Sequence, residues 1–162
     1  ALYSRNDFIK VGGFDEDYFS YFEDVDLGFR LRLRGLRCML VPQALVHHVG
    51  SGSTGKRSDF SVYYGHRNLV WTYFKDMPAF LFWCYLPLHV AVNFFFLIYF
   101  TIKGQGHAIW RAKWDALRGL PMLLKKRRAV QLQRTVSITE IHHAISRNWL
   151  TLYLAFIKRR NG

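Results

Sequence analysis

Several residue groups in this sequence have types and spacings that suit chemistry. Glu23 and Asp24 adjoin, directly after the aromatic run from Asp17 to Phe22. They stand where a helix is expected to start, a place that can fix a carboxylate within reach of a hydroxyl proton, as a general base requires. Acids at a helix start also complement the helix dipole without any catalysis, and spacing alone leaves both readings open. His47 and His48 fall in an expected strand, so their rings point to opposite faces and only one can serve a given site. A neutral imidazole suits a divalent transition metal, although no second ligand stands at a standard spacing. Gly50 to Lys56, reading GSGSTGK, fills the first seven places of a phosphate-binding loop. The eighth place must offer magnesium a Ser or Thr hydroxyl, and here it is Arg57, so the stretch reads as a loop. Arg67 and Asn68 adjoin within an expected helix, where Arg can grip a phosphate through two parallel hydrogen bonds or stand solvated.

The elements that must position these groups read as mixed α/β over residues 1–78. Val11 to Asp15, VGGFD, is a glycine turn. A helix is expected from near Asp24 to Gly35, with acids in its first turn, Arg30, Arg32 and Arg34 toward its end, and Gly35 as its cap. Asp26 and Arg30 stand four apart and can pair on its surface. Arg37 to Val41 and Leu45 to Val49 are short β-prone runs separated by Pro42, Gln43 and Ala44. A helix loaded with aromatic residues is expected from Phe60 to Met77, stopped by Pro78.

Residues 79–102 contain no Asp, Glu, Lys or Arg, and a run of about 24 exceeds the roughly 20 that cross a bilayer as a helix. A buried core helix is the alternative. His89 and Asn93 share one face of this segment, and Pro87 is expected to kink or split it. Residues 103–162 have amphipathic helical character, with Ile109, Trp110, Trp114, Leu117 and Leu120 as the apolar positions. They also carry the basic cluster Lys125 to Arg128 and a capping box, Ser137 to Glu140. Cys38 and Cys84 stand in unrelated contexts and define no disulfide framework.

The formal net charge is +12, with 51% hydrophobic residues, which excludes a disordered chain. Ten bases stand against nine acids through Pro78, whereas thirteen stand against Asp115 and Glu140 after Thr101. The excess therefore lies beside the uncharged segment, which favours an anionic membrane surface over nucleic acid, for which no recognition motif is visible. The sequence opens in mid-pattern without Met, as a fragment would.

Together these pieces resemble the C-terminal half of family 2 glycosyltransferases, particularly the rhamnosyltransferase-like bacterial enzymes. The resemblance rests on Val11 to Glu16, Tyr21 to Leu27, Arg30, Gly35, Pro42, His48 to Ser53, and Tyr64 with Arg67 and Asn68. It implies an α/β fold, the acceptor-side half of a GT-A type nucleotide-sugar transferase domain over 1–78. A membrane-embedded or re-entrant segment over 79–102 and a basic helical tail over 103–162 would follow. It also implies that Asp24 is the base that deprotonates the acceptor hydroxyl, with Glu23 shaping the site. Gly12, Gly13, Phe14 and Asp15 would line the acceptor side, Arg67 with Asn68 would meet a phosphate of the donor or of a lipid-linked acceptor, and His48 would join a Mg²⁺ or Mn²⁺ ion. The implied reaction is inverting transfer from a nucleotide-sugar donor to a glycan or lipid-linked acceptor. The donor-binding half with its Asp-x-Asp motif is absent, so these residues alone are expected not to turn over. Gln131 to Arg134 is followed by Thr135 rather than Trp, which speaks against a processive synthase.

Nucleotide sugars are cytoplasmic, and one crossing would place the basic tail outside, against the positive-inside rule. The expectation is a re-entrant or in-plane segment, or a returning tail, at the cytoplasmic face of a bacterial inner membrane. Lys125 to Arg128 would then meet anionic lipids at about 1 kcal/mol per charge. The competing reading is a non-enzymatic membrane-surface module that uses the same tail.

Overall fold

The structure is a computed structural model that describes residues 1–39, 41, 43–45 and 58–145. Among these residues all regular structure is helical, which overturns the expected α/β, GT-A type fold. Arg37, Cys38 and Met39 take no regular structure, and a turn follows them, with Ala44 N–H bonded to the Val41 carbonyl at 3.0 Å and Leu45 N–H to Gln43 at 3.1 Å; of the second β-prone run, residues 46–49 lie outside the described residues. Strand propensity needs a neighbouring strand to satisfy its backbone groups, and no such partner exists among the described residues. The loop Gly50 to Lys56, His47 and residues 146–162 lie outside them.

Helix α1 (Arg5–Lys10) ends in Gly12 and Gly13, whose φ angles of 86° and 66° are ones glycine adopts without strain. Helix α2 (Glu23–Leu33) closes as anticipated at Gly35, φ 78°. There Leu36 N–H reaches the Leu31 carbonyl and Gly35 N–H reaches Arg32, both at 3.0 Å, which satisfies the last carbonyls of the helix. Helix α3 (Asp59–Asp76) starts one residue before its expected position, because Ser58 accepts the Ser61 N–H at 3.3 Å as an N-cap.

The other long helices assemble on α3. Helix α4 (Ala79–Phe100) returns antiparallel beside it: Tyr73 stacks on His89 at 3.9 Å, and the His66 ring meets Phe96 at 4.8 Å and Phe100 at 4.9 Å. The expected division at Pro87 does not occur, since α4 runs unbroken through a proline on its outer side. The break comes instead at Gly104, φ 83°, within Thr101–Gln105. From there α5 (Gly106–Arg118) and α6 (Leu120–Leu132) run in turn along α3 in its own direction. Trp71 Nε1 donates to the Ala116 carbonyl at 3.2 Å, Arg127 to Phe74 at 2.7 Å, and Gln131 to Asp76 at 2.8 Å.

The face that α5 buries is not the one its large apolar residues suggested. Ala108, Ile109, Ala112 and Ala116 are buried, while Trp110, Trp114 and Leu117 are exposed. Small residues let α5 approach α3 closely. At Gly119 the approach is closer still, because an added Cβ would lie 2.7 Å from the Trp71 ring. Helix α7 (Ile138–Ala144) begins with the anticipated capping box of Ser137 and Glu140, and Ile141 packs with Leu33 and Leu81.

Candidate functional site

The chain around the acidic pair is strained. Phe19, Tyr21 and Phe22 have φ angles of 60°, 65° and 68°, in the left-handed region that bulky residues rarely occupy. Such positions cost about 1–3 kcal/mol each and persist only when the surroundings hold them. Here the holding groups are the adjacent residues of α3. Asn68, fully buried, donates from Nδ2 to the carbonyls of Tyr18, Ser20 and Tyr21 at 2.9, 2.8 and 2.8 Å. Arg67 donates to Asp17 and Tyr18 at 2.8 and 3.1 Å, and its guanidinium lies over Trp71 at 4.1 Å and Tyr64 at 4.9 Å. These two side chains are committed to the backbone of the aromatic turn, which leads directly into α2.

At the start of α2, Asp24 is exposed, and its Oδ1 accepts the Val25 N–H at 2.8 Å. Glu23 is half-buried, with Oε2 shielded from solvent and no hydrogen-bond partner among the described residues. Asp24 lines a cavity of about 520 Å³ together with Val25, Gly28, Tyr3, Phe8 and Met39. Gly12, Phe14 and Asp15 open on a different cavity of about 530 Å³, which they share with Arg30, Lys75 and Lys126. Gly13 lies between, its Cβ position 3.1 Å from the Phe8 ring. The structure thus groups Asp24 with α1 and the turn, and the glycine loop with α6. His48 lies outside the described residues.

The second cavity rests on a buried ionic network. Arg30 and Asp26 do pair across one helical turn, at 2.6 Å, but the pair is buried rather than on the surface, with Asp26 fully enclosed. Arg30 also donates to the Val11 and Gly13 carbonyls at 2.5 and 2.7 Å, tying the glycine loop to α2. Lys75, 1% exposed, bridges Asp26 to Asp15, the latter at 2.7 Å, with its ammonium 4.7 Å from the Tyr18 ring centroid. Burial and the neighbouring Asp26 hold the Asp76 carboxyl well above the usual carboxylate range. Lys126 reaches from α6 to Asp15 at 2.5 Å and Asp17 at 2.6 Å. Burial alone would raise Asp15, but Lys126 and Lys75 outweigh it and hold its carboxyl below the ordinary value. Spacing gave no warning of Lys75 or Lys126, whose partners lie 60 and 111 residues away in the chain.

Of the basic cluster, Lys126 and Arg127 are thus turned inward, while Lys125 and Arg128 remain exposed. Among the described residues no three His, Cys, Asp or Glu side chains converge to hold a metal ion. Helix α4 is long and apolar enough to cross a membrane, and Phe80, Trp83, Leu88, Phe94 and Phe95 on it are exposed.

No family model matches the chain. No solved structure matches it either. Among curated proteins it is 53% identical, over 55 residues, to N-acetylglucosaminyl-diphospho-decaprenol L-rhamnosyltransferase of Mycobacterium tuberculosis. That stretch is 34% of this chain and 18% of the relative. It is 45% identical over 56 residues, 35% of this chain, to rhamnosyltransferase WbbL of Escherichia coli, of which the match covers 20%. The chain therefore matches about a fifth of the length of these relatives, and over that stretch it is similar to rhamnosyltransferases.

Proposed function

We propose that this chain serves the inverting transfer of a sugar from a nucleotide-sugar donor to a lipid-linked glycan acceptor. The observation that carries this reading is the 53% identity to a protein named for rhamnosyl transfer to a diphospho-decaprenol-linked sugar. Donor binding is assigned to a nucleotide-binding half outside these 162 residues.

In this reading the Asp24 carboxylate takes the proton of the acceptor hydroxyl while that oxygen attacks the anomeric carbon. The bond from the anomeric carbon to the diphosphate breaks on the opposite side, and its electron pair leaves with the nucleoside diphosphate. The exposed position of Asp24 at the first turn of α2 suits a base that must meet an incoming hydroxyl. Arg67 and Asn68 act as positioning residues for the turn that carries Glu23 and Asp24. Gly12 to Asp15 line the acceptor side. A Mg²⁺ or Mn²⁺ ion at His48, which the resemblance implies, would neutralise the departing diphosphate; among the described residues no three His, Cys, Asp or Glu side chains gather to hold it.

Packing supports a reading of how the chain meets a membrane. Its 22 residues give α4 a length of about 33 Å, enough to cross the roughly 30 Å core. Upright, however, it would carry α3 and α5 beside it to the same depth, with Arg67, Arg111 and Lys113. Each such charge costs about 2.5–3.5 kcal/mol at the bilayer centre. We therefore place α4 in the plane of the cytoplasmic leaflet of a bacterial inner membrane, with Trp83, Leu88, Phe94 and Phe95 buried in it and Lys125 and Arg128 meeting anionic headgroups.

Replacing Asp24 by Asn in the protein that carries this chain tests the chemical assignment: transfer should fall severely with the fold retained. A second reading, a membrane-surface module without catalysis, is favoured by the exposed apolar face of α4, and it predicts that Asp24→Asn leaves function untouched.

A further inference from the structure

We infer that the groove between α4 and α5 binds the single isoprenoid chain of a lipid phosphate, with Lys113 as the cation that meets the phosphate. The groove holds about 300 Å³ and is walled by Phe74, Val90, Phe94, Leu97 and Leu117. That volume is at the lower end for small-molecule pockets, about 300–1,000 Å³, and suits a length of one chain rather than two acyl chains side by side. Val90, Phe94 and Leu117 at its rim are 56%, 62% and 55% exposed, so a chain enters from the side that is apolar.

Beneath the apolar wall of this groove lie the polar atoms of three lining residues, His89, Asn93 and Lys113, almost wholly covered by it. Lys113 Nζ donates to the Asn93 side-chain oxygen at 2.5 Å and to the His66 carbonyl at 3.2 Å. Both acceptors are neutral, and no carboxylate pairs with Lys113 among the described residues. The nearby Asp115 is occupied by Tyr63 at 2.8 Å and Arg111 at 3.7 Å. A half-buried ammonium without a counter-charge is costly, and an anion arriving with an apolar chain removes that cost. His89 Nε2, also on the groove, is shielded and has no hydrogen-bond partner among the described residues. The inference rests on the lipid-linked acceptor proposed above and locates its lipid.

The test places the full chain in neutral phosphatidylcholine nanodiscs with a diazirine-bearing polyisoprenyl monophosphate and no sugar donor. Photolabel should map to residues 86–97 and 113–117. Unlabelled polyisoprenyl monophosphate should compete about tenfold better than polyisoprenol or phosphatidylglycerol, the effect expected of one charge-assisted hydrogen bond. Lys113→Met should remove that preference and Lys113→Arg should restore it, while Val90→Trp, at the exposed rim, should abolish labelling. Equal competition by phosphatidylglycerol or polyisoprenol, labelling elsewhere, or a preference that survives Lys113→Met overturns the inference. Asp24→Asn should label normally, so loss of labelling with transfer intact defeats the groove alone, and labelling with Asp24 dispensable defeats the transferase reading alone.

Discussion

Replacing Asn68 by Ala removes the clamp on the turn that presents Glu23 and Asp24. Asn68 is fully buried and donates to three backbone carbonyls at 2.8–2.9 Å, in a segment with three left-handed aromatic residues. The amide has two protons, one of them shared between two carbonyls, and each bond contributes about 1 kcal/mol net, so the loss approaches about 2 kcal/mol before any relaxation. The strain at Phe19, Tyr21 and Phe22, about 1–3 kcal/mol each, then drives the turn open locally rather than spreading through the helices. Hydrogen exchange of the Ser20 and Asp26 amides, which bond to Tyr18 and Phe22 at 2.7 and 2.8 Å, reads that opening. Their protection should fall about thirtyfold, the equivalent of roughly 2 kcal/mol, while amides in the middle of α5 keep theirs. Asn68→Asp should be worse than Asn68→Ala, because it sets an oxygen against three carbonyl oxygens at unchanged volume. Unchanged protection at Ser20 and Asp26 in both variants would refute the clamp.

Two further outcomes follow from the packing around α6. Gly119→Ala should destabilise the chain by about 1–3 kcal/mol in a urea unfolding curve, since its Cβ would meet the Trp71 ring at 2.7 Å and the junction of α5 and α6 must shift. The Asp15 carboxyl is held below its ordinary value, chiefly against burial, by Lys126 and Lys75, so its contribution is present above the unfolded value of about 3.9 and is lost as pH falls through the lower folded value. Acid should therefore loosen α6 from the glycine loop, seen as exchange at Leu123 and Val130; Lys126→Met should weaken that contact at neutral pH and blunt its acid response.

Much of the helical frame was legible because its signals are local. Gly35 after a basic last turn, Pro78 after an aromatic helix, and Ser137 three residues before Glu140 each act within a turn or two of the chain. The strand expected over Arg37 to Val41 was misread because β propensity there says nothing about whether a partner strand exists beside it. The i,i+4 spacing of Asp26 and Arg30 gave the pair correctly but not its burial, which depends on α3 and the glycine loop packing over it. On α5 the large apolar residues drew attention, yet α3 presents Trp71 there and close approach required Ala112, Ala116 and Gly119. Arg67 and Asn68 were legible as a pair, but a pattern of side chains could not reveal that their partners are backbone carbonyls some 50 residues earlier.

The central claim is that Asp24 removes the acceptor proton. The most direct measurement is the rate of sugar transfer to a lipid-linked acceptor by Asp24→Asn in the protein that carries this chain, with Ser20 and Asp26 exchange recorded on the same sample. General-base catalysis contributes about 10²–10⁴-fold, so transfer should drop by that factor while exchange protection stays at the unsubstituted level. Transfer within about threefold of the unsubstituted protein, far below that range, would contradict the account.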